Sequence, residues 1–117
     1  IIIHACALKQ VQSCEYNPLE TIKTNVMGSM NIIDAALDNN VEKVLAISTD
    51  KAVSPLNLYG ASKMCMERLM TTANSYRGTR KQTKFCSTSC SVFWGEEYPA
   101  ESIMFHSLIL SEKRLTW

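Results

Sequence analysis

The side chains best suited to acid–base chemistry are concentrated in the segment STDKAVSPLNLYGASK, residues 48–63. A carboxylate, an amine and a phenol occur there within ten residues, as Asp50, Lys51 and Tyr59. Tyr59 and Lys63 are four residues apart, so a helix places them on one face. An ammonium group favours a neighbouring phenolate, and we expect Lys63 to lower the tyrosine pKa from about 10. Such a tyrosine can act as an acid or base near neutral pH.

The elements that must position these residues follow a strand, helix, strand order. The first residues, III followed by HACA, and the later run VLAI at residues 44–47 have no polar face. Short apolar runs of this kind are typical of strands buried under helices on both sides of a parallel sheet. Ligands bind such sheets beyond the carboxyl ends of the strands, which here are residues 4–11 and 48–54. The sequence therefore predicts a Rossmann-like, doubly wound α/β fold, with a third strand at residues 85–93.

Two helices are predicted to cover this sheet. The first begins at Asn17, with Pro18 in the first turn and Glu20 completing a capping box. Its apolar side chains at spacings of three and four predict one buried face: Leu19, Ile22, Val26, Met30, Ile33 and Leu37. The second spans about residues 57–76, with an inner face predicted as Ala61, Met64, Cys65, Leu69 and Ala73. A further short helix is predicted at residues 103–110.

Three ordered motifs resemble one family. The segment STDKAVSPLNLYGASK resembles the corresponding motif of bacterial inverting UDP-N-acetylglucosamine 4,6-dehydratases, which are extended short-chain dehydrogenases/reductases among the capsular and flagellar polysaccharide biosynthesis proteins. HACALKQVQSCEYNP and TNVMGSMNIIDAA resemble the preceding segments of the same family. The similarity covers residues 3–76. The adjacent Asp50 and Lys51 discriminate this family, because ordinary epimerases and reductases of the superfamily do not usually have Asp-Lys at this position.

The resemblance implies a dehydratase with NADP, or alternatively NAD, that produces a 4-keto-6-deoxy sugar inverted at C5. Tyr59, helped by Lys63, would accept the proton of the C4 hydroxyl while hydride passes to the nicotinamide. Lys51 would then remove the acidified C5 proton, and Asp50 would protonate the departing C6 hydroxyl. Thr49 would orient the substrate through its hydroxyl.

The resemblance also implies binding residues outside this segment. Asn25 corresponds to a family asparagine that steadies the active-site lysine and a water molecule, and it joins the Tyr-Lys pair in the cofactor site. Ala5 and Ala7 would let the cofactor approach the first strand closely, and Lys9 resembles a lysine near the substrate or cofactor phosphates. The alternatives are an ordinary polar helix residue for Asn25 and ordinary packing for the alanines.

Two features depart from the family pattern. None of the four glycines occurs in the GxGxxG spacing of a phosphate-binding loop. We therefore expect that loop and further strands to lie upstream of Ile1. Residues 1–117 would then be the central part of one NAD(P)-binding domain, and this piece alone would be inactive. Downstream, SCSV at residues 89–92 replaces Arg-Tyr-Gly-Asn, and GEEY at residues 95–98 replaces Gly-Ser-Arg. Two alternatives stay open: a nucleotide-sugar epimerase or reductase, and a catalytically inactive domain retained for assembly.

Composition restricts the other classes of function. The net charge of +1 gives no cationic surface for nucleic acid or an anionic membrane, and no apolar run approaches the roughly 18 residues that cross a bilayer. Five cysteines without CxxC spacing favour a reducing cytoplasm over a disulfide framework or zinc site. His4 and His106 have no partner at metal-ligand spacing, so no metal is expected. We expect a cytoplasmic protein that binds a UDP-sugar and forms a homo-oligomer when full length.

Overall fold

A three-stranded parallel sheet forms the centre of the computed structural model, which describes residues 1–76 and 83–89. The strands, in spatial order, are β1 (Ile2–His4), β2 (Lys43–Ser48) and β3 (Lys84–Ser89). β2 pairs with β1 on one side and with β3 on the other, both in parallel. Their carboxyl ends therefore lie at a common edge, beside His4, Ser48 and Ser89.

Helices connect the strands. The first crossover contains α1 (Val11–Tyr16), α2 (Pro18–Thr21), a π-helical turn (Ile22–Met27) and α3 (Gly28–Asp38). The second contains a 3₁₀ turn (Asp50–Ala52) and α4 (Leu58–Tyr76). This arrangement confirms the predicted Rossmann-type α/β fold. The predicted third strand is confirmed up to residue 89, whereas the remainder of that strand, the helix at residues 103–110 and the departures at residues 90–92 and 95–98 lie outside the described residues.

The face that the first crossover buries differs from the prediction. Leu19, Ile22 and Met30 are 63%, 42% and 45% exposed. The buried side chains of this segment lie four, four, four and three residues apart: Thr21, Asn25, Ser29, Ile33 and Ala36. A π-helical turn has i→i+5 hydrogen bonds and is wider than an α-helical turn, which suits the spacing of four. The predicted apolar face was therefore wrong over its first half.

The predicted capping box was also wrong. The side chain of Asn17 makes no capping hydrogen bond, and only its backbone carbonyl accepts the amide of Thr21, at 3.1 Å. Glu20 instead forms an exposed ion pair with Lys23 at 3.4 Å. Pro18 does occupy the first helical position, where its missing N–H costs no hydrogen bond.

α4 has the predicted bounds, but its inner face was predicted correctly only in part. Ala73 is completely buried and Leu69 packs against the core, as predicted. Met64 and Cys65 are exposed, and Met66 and Met70 are completely buried in their place. Because methionines occur on both faces of α4, the spacing of its apolar residues does not show which face is buried. The core contains apolar side chains from α3, α4 and the two longer strands: Ile33, Ala36, Val44, Ala46, Met66, Met70, Ala73 and Phe85.

None of the helices in the described ranges, residues 1–76 and 83–89, has the length and apolar character needed to span a membrane.

Candidate active site

A cavity of about 260 Å³ opens at the carboxyl edge of the sheet. Its walls come from the loop after β1, the end of β2, the 3₁₀ turn and the start of α4: Ala5, Ala7, Lys9, Ile47, Ser48, Thr49, Asp50, Lys51, Tyr59 and Lys63. Every site residue predicted from the sequence, except Asn25, therefore lines one cavity. The volume is below the roughly 300–1,000 Å³ of complete small-molecule pockets, so it suits only part of a nucleotide-sized ligand.

The 3₁₀ turn after β2 holds Thr49, Asp50 and Lys51 in a fixed arrangement. The Thr49 hydroxyl donates to Oδ1 of Asp50 at 3.0 Å. The same oxygen accepts the backbone N–H of Lys51, also at 3.0 Å, and that N–H contacts the Thr49 hydroxyl oxygen at 3.4 Å. Thr49 is buried, whereas the side chains of Asp50 and Lys51 are exposed. The turn thus presents an acid and an amine at the mouth of the cavity.

Gly60 allows α4 to approach this turn. A Cβ at position 60 would collide with the backbone carbonyl oxygen of Lys51 and would lie 3.3 Å from Cβ of Pro55. Only glycine lacks the Cβ, so Gly60 sets the close spacing between Lys51 and the first turn of α4. This glycine brings the Asp-Lys pair and the Tyr-Lys pair to the same cavity.

The Tyr59 phenol is 5% exposed, and burial raises its pKa. A hydrogen bond with Thr49 lowers the pKa, while the nearby Cys14 and Asp50 raise it. The expected lowering by Lys63 was therefore wrong in direction, because burial favours the neutral phenol.

Lys63 is buried and is held by the end of β2. Its Nζ donates to the Ile47 carbonyl at 2.6 Å and contacts Sδ of Met66 at 3.3 Å. Burial lowers the pKa of Lys63, and the Glu67 carboxylate partly opposes this shift. The amine thus lies at the cavity wall, fixed by a backbone carbonyl one residue before Ser48.

Asn25 lies behind the cavity and is completely buried. Its Oδ1 accepts the Leu8 N–H at 2.8 Å, and its Nδ2 donates to the Leu8 carbonyl at 3.2 Å and to the Ser62 hydroxyl at 3.0 Å. Ser62 in turn donates to the Tyr59 carbonyl at 2.8 Å. These contacts join the loop after β1 to α4; they do not include Lys63, which the resemblance had implied as its partner.

His4 is buried and is connected to Asn25 through Ser29. Its Nε2 lies 3.0 Å from the Ser29 hydroxyl oxygen, which donates its proton to the Asn25 carbonyl at 2.7 Å. Nε2 must therefore carry the hydrogen of this contact. Burial, and secondly the nearby Lys63, lower the pKa of His4 and favour the neutral ring. Among residues 1–76 and 83–89, no group of His, Cys, Asp and Glu could hold a metal ion.

Ser48 is a site residue whose neighbour Thr49, rather than Ser48 itself, was predicted to hold the substrate. Its hydroxyl is buried, lines the cavity and has no hydrogen-bond partner in the described part of the chain. A buried polar atom without a partner is costly, so a ligand group is a natural partner. Together with the small side chains of Ala5 and Ala7, this hydroxyl fits a flat polar ring lying against the strand ends. The position of Ser48 directly before Thr49 was the available signal.

A tyrosine and a lysine four residues apart, beside a threonine at the carboxyl end of a parallel Rossmann-type sheet, define a protein of the short-chain dehydrogenase/reductase class. Comparison with known proteins gives the family. The family model described as polysaccharide biosynthesis protein matches residues 1–92. The chain therefore belongs to the polysaccharide biosynthesis protein family, which confirms the resemblance of the three motifs.

Several relatives have assigned names. The chain is 52% identical over 87 residues to a UDP-N-acetylglucosamine 4,6-dehydratase (inverting) of Campylobacter jejuni, covering 74% of this chain and 26% of the relative. It is 48% identical to a UDP-glucose 4-epimerase of Rickettsia bellii, covering 74% and 25%. The X-ray structure of Pen from Bacillus thuringiensis matches with a TM-score of 0.70 at 45% identity, covering 73% and 26%. The chain thus spans about a quarter of the length of these proteins.

Proposed function

We propose that the full-length protein is a nicotinamide-dependent nucleotide-sugar 4,6-dehydratase that converts UDP-N-acetylglucosamine to a C5-inverted 4-keto-6-deoxy sugar. The observation that carries this proposal is the single cavity lined by both the Tyr59–Lys63 pair and the Asp50–Lys51 pair. Oxidation at C4 needs one acid–base group, and elimination across C5 and C6 needs a separate base and acid. The cavity offers all of these groups.

The first half of the reaction would use the buried groups. Tyr59 would accept the proton of the C4 hydroxyl as a phenolate; burial raises the pKa of this phenol, and the hydrogen bond with Thr49 partly opposes that shift. Lys63, whose Nζ donates to the Ile47 carbonyl, would contribute a further hydrogen-bond donor at the cavity wall. The nicotinamide, when bound, would accept the hydride and later return it. Ser48, Ala5 and Ala7 would hold its ring and ribose, with NADP as the proposed cofactor and NAD as the alternative.

The second half would use the exposed groups of the 3₁₀ turn. Lys51 would remove the C5 proton, which the neighbouring C4 ketone makes acidic, and Asp50 would protonate the departing C6 hydroxyl, which leaves as water. The hydride taken from C4 would return to C6, and a proton added to the opposite face of C5 would give the inverted product. Lys9, which also lines the cavity, would contact a phosphate of the substrate or cofactor. The fixed hydrogen bonds from Thr49 and from the Lys51 amide hold the acid and base in position relative to each other.

The test uses the complete reading frame that encodes this chain, purified and incubated with UDP-N-acetylglucosamine and either NADP⁺ or NAD⁺. NMR should show a 4-keto-6-deoxy product, with solvent deuterium incorporated at C5. Lys51→Ala should abolish this product, whereas Lys23→Ala, which removes an exposed lysine on the π-helical turn, should not. Product formation by Lys51→Ala at the wild-type rate would refute the base role.

An epimerase is the second candidate, favoured by the similarity to the Rickettsia protein. An epimerase needs Tyr59 and the cofactor but no C5 base. The same NMR experiment separates the two: an epimerized sugar that retains its C6 hydroxyl, formed equally well by Lys51→Ala, would support the epimerase. Cofactor binding without any turnover would instead support an inactive domain used for assembly.

We also propose a cytoplasmic homo-oligomer. The exposed thiols of Cys6 and Cys65 fit a reducing compartment, which cell fractionation would test. The exposed apolar side chains of the first crossover form a surface suited to a second copy of the chain: Leu19, Ile22, Met27 and Met30. Light scattering should detect a dimer or larger assembly for the full-length protein, and Ile22→Lys should shift it toward the monomer.

A further inference from the structure

The N-terminus of α4 is held by a residue distant in sequence. The backbone N–H of Leu58, the first residue of the helix, donates to Oε1 of Glu15 at 2.7 Å. The Asn57 side chain accepts the N–H of Gly60 at 2.8 Å. The first amides of a helix have no intrahelical partner, so these side chains satisfy two of them. The bond from Glu15 is one residue away from Tyr59.

Glu15 belongs to α1, which is itself attached to the cavity wall. The buried thiol of Cys14 donates to the Leu8 carbonyl at 3.4 Å, and the same carbonyl accepts Nδ2 of Asn25. Leu8 lies between the cavity-lining residues Ala7 and Lys9. α1 therefore links the loop after β1 directly to the start of the helix that carries Tyr59.

We propose that Glu15 is a positioning residue for Tyr59, an inference that rests on the proposed function. Its carboxylate makes a charge-assisted hydrogen bond, and its negative charge interacts favourably with the positive end of the α4 dipole. Both effects fix the first turn of the helix, and hence the Tyr59 hydroxyl relative to Thr49. Without this bond the first turn of α4 loosens, and Tyr59 becomes more exposed and less well aligned.

A positioning role affects catalysis more than binding. Lys9 and Lys51, the proposed substrate-facing lysines, are attached to other elements. We therefore expect Glu15→Ala to reduce kcat about tenfold, the scale of one charge-assisted hydrogen bond, while KM changes less than about twofold. Glu15→Gln retains an acceptor oxygen but not the negative charge, so it should recover part of the activity. Glu20→Ala, which removes an exposed carboxylate paired with Lys23, is the matched control.

A second measurement does not depend on turnover. The Tyr59 phenol can be titrated by ultraviolet difference absorbance, with Tyr59→Phe as the reference, in the wild-type and Glu15→Ala backgrounds. Because burial raises the Tyr59 pKa, loosening of the helix should move it down toward 10 in Glu15→Ala but not in Glu20→Ala.

The outcomes separate the two proposals. An inactive wild type in which Glu15→Ala still shifts the Tyr59 titration would refute the dehydratase but support the positioning role. An active wild type for which Glu15→Ala leaves kcat, the pH profile and the titration unchanged would overturn the positioning role, even if that variant melts at a lower temperature.

Discussion

Replacing Asn25 by leucine should destabilise the protein strongly, although the two side chains have the same number and branching of heavy atoms. The buried amide makes three hydrogen bonds, two of them to the backbone of Leu8. In Asn25→Leu, the Leu8 N–H loses its partner at 2.8 Å, which costs about 1–3 kcal/mol. The Leu8 carbonyl retains its contact with the Cys14 thiol, so its loss is smaller, about 0.5–1 kcal/mol.

Ser62 adds little to this cost, because its hydroxyl still donates to the Tyr59 carbonyl. The expected decrease in the free energy of unfolding is therefore about 1.5–4 kcal/mol, a large part of the roughly 5–15 kcal/mol typical of a folded domain. Urea unfolding of the full-length protein, followed by circular dichroism, would measure it. Asn31→Leu, at an exposed position of α3, is the matched control and should stay within about 0.5 kcal/mol.

The reasoning would be refuted if Asn25→Leu unfolded within about 0.5 kcal/mol of the wild type. That result would mean that the Leu8 backbone finds other partners, and that Asn25 does not hold the loop carrying Ala7 and Lys9. A large loss of stability in the control variant would equally remove the contrast on which the argument depends.

Three further predictions concern the cavity itself. Gly60→Ala improves helix propensity by about 1 kcal/mol, yet its collision with the Lys51 carbonyl should make the variant less stable by about 1–3 kcal/mol; higher stability in urea unfolding would contradict this. Burial lowers the Lys63 pKa below its ordinary 10.5, so the unfolded chain binds that proton more strongly. The stability of the wild type relative to Lys63→Met should therefore increase as the pH rises from 7 toward 10, measured by urea midpoints, and a constant difference would argue against it. Ser48→Ala removes a hydroxyl without a partner, so unfolding should change by less than about 1 kcal/mol while calorimetry shows cofactor affinity weakened about three- to tenfold; unchanged affinity would exclude this contact.

The location of the site could be predicted from the sequence because it follows from topology. Apolar runs mark buried parallel strands, and polar residues directly after them must meet at one edge of the sheet. That rule placed Ala5, Ala7 and Lys9 at the same edge of the sheet as the residues of the 3₁₀ turn, and the structure brings these groups to one cavity. The catalytic roles assigned to them remain predictions.

The errors have a common physical origin, which is that the burial of a side chain was inferred from its polarity or its spacing in the sequence. Thr21, Asn25 and Ser29 face inward because hydrogen bonds satisfy them there, and a sequence pattern does not display such partners. The Tyr59 pKa was predicted from its spacing to Lys63, whereas burial of the phenol is the largest influence on it. Partners and burial both depend on tertiary packing.

The number of residues between the π-helical turn and Ile33 is critical. Each residue of a regular α-helix advances the chain by about 100°, since 3.6 residues complete a turn. Deleting one residue from the first turn of α3 would rotate the rest of that helix by this angle relative to the π-helical turn. Ile33 and Ala36 would then turn away from the sheet while Asn25 kept its place. Point substitutions on the exposed side of this segment should therefore be tolerated far better than any change in its length.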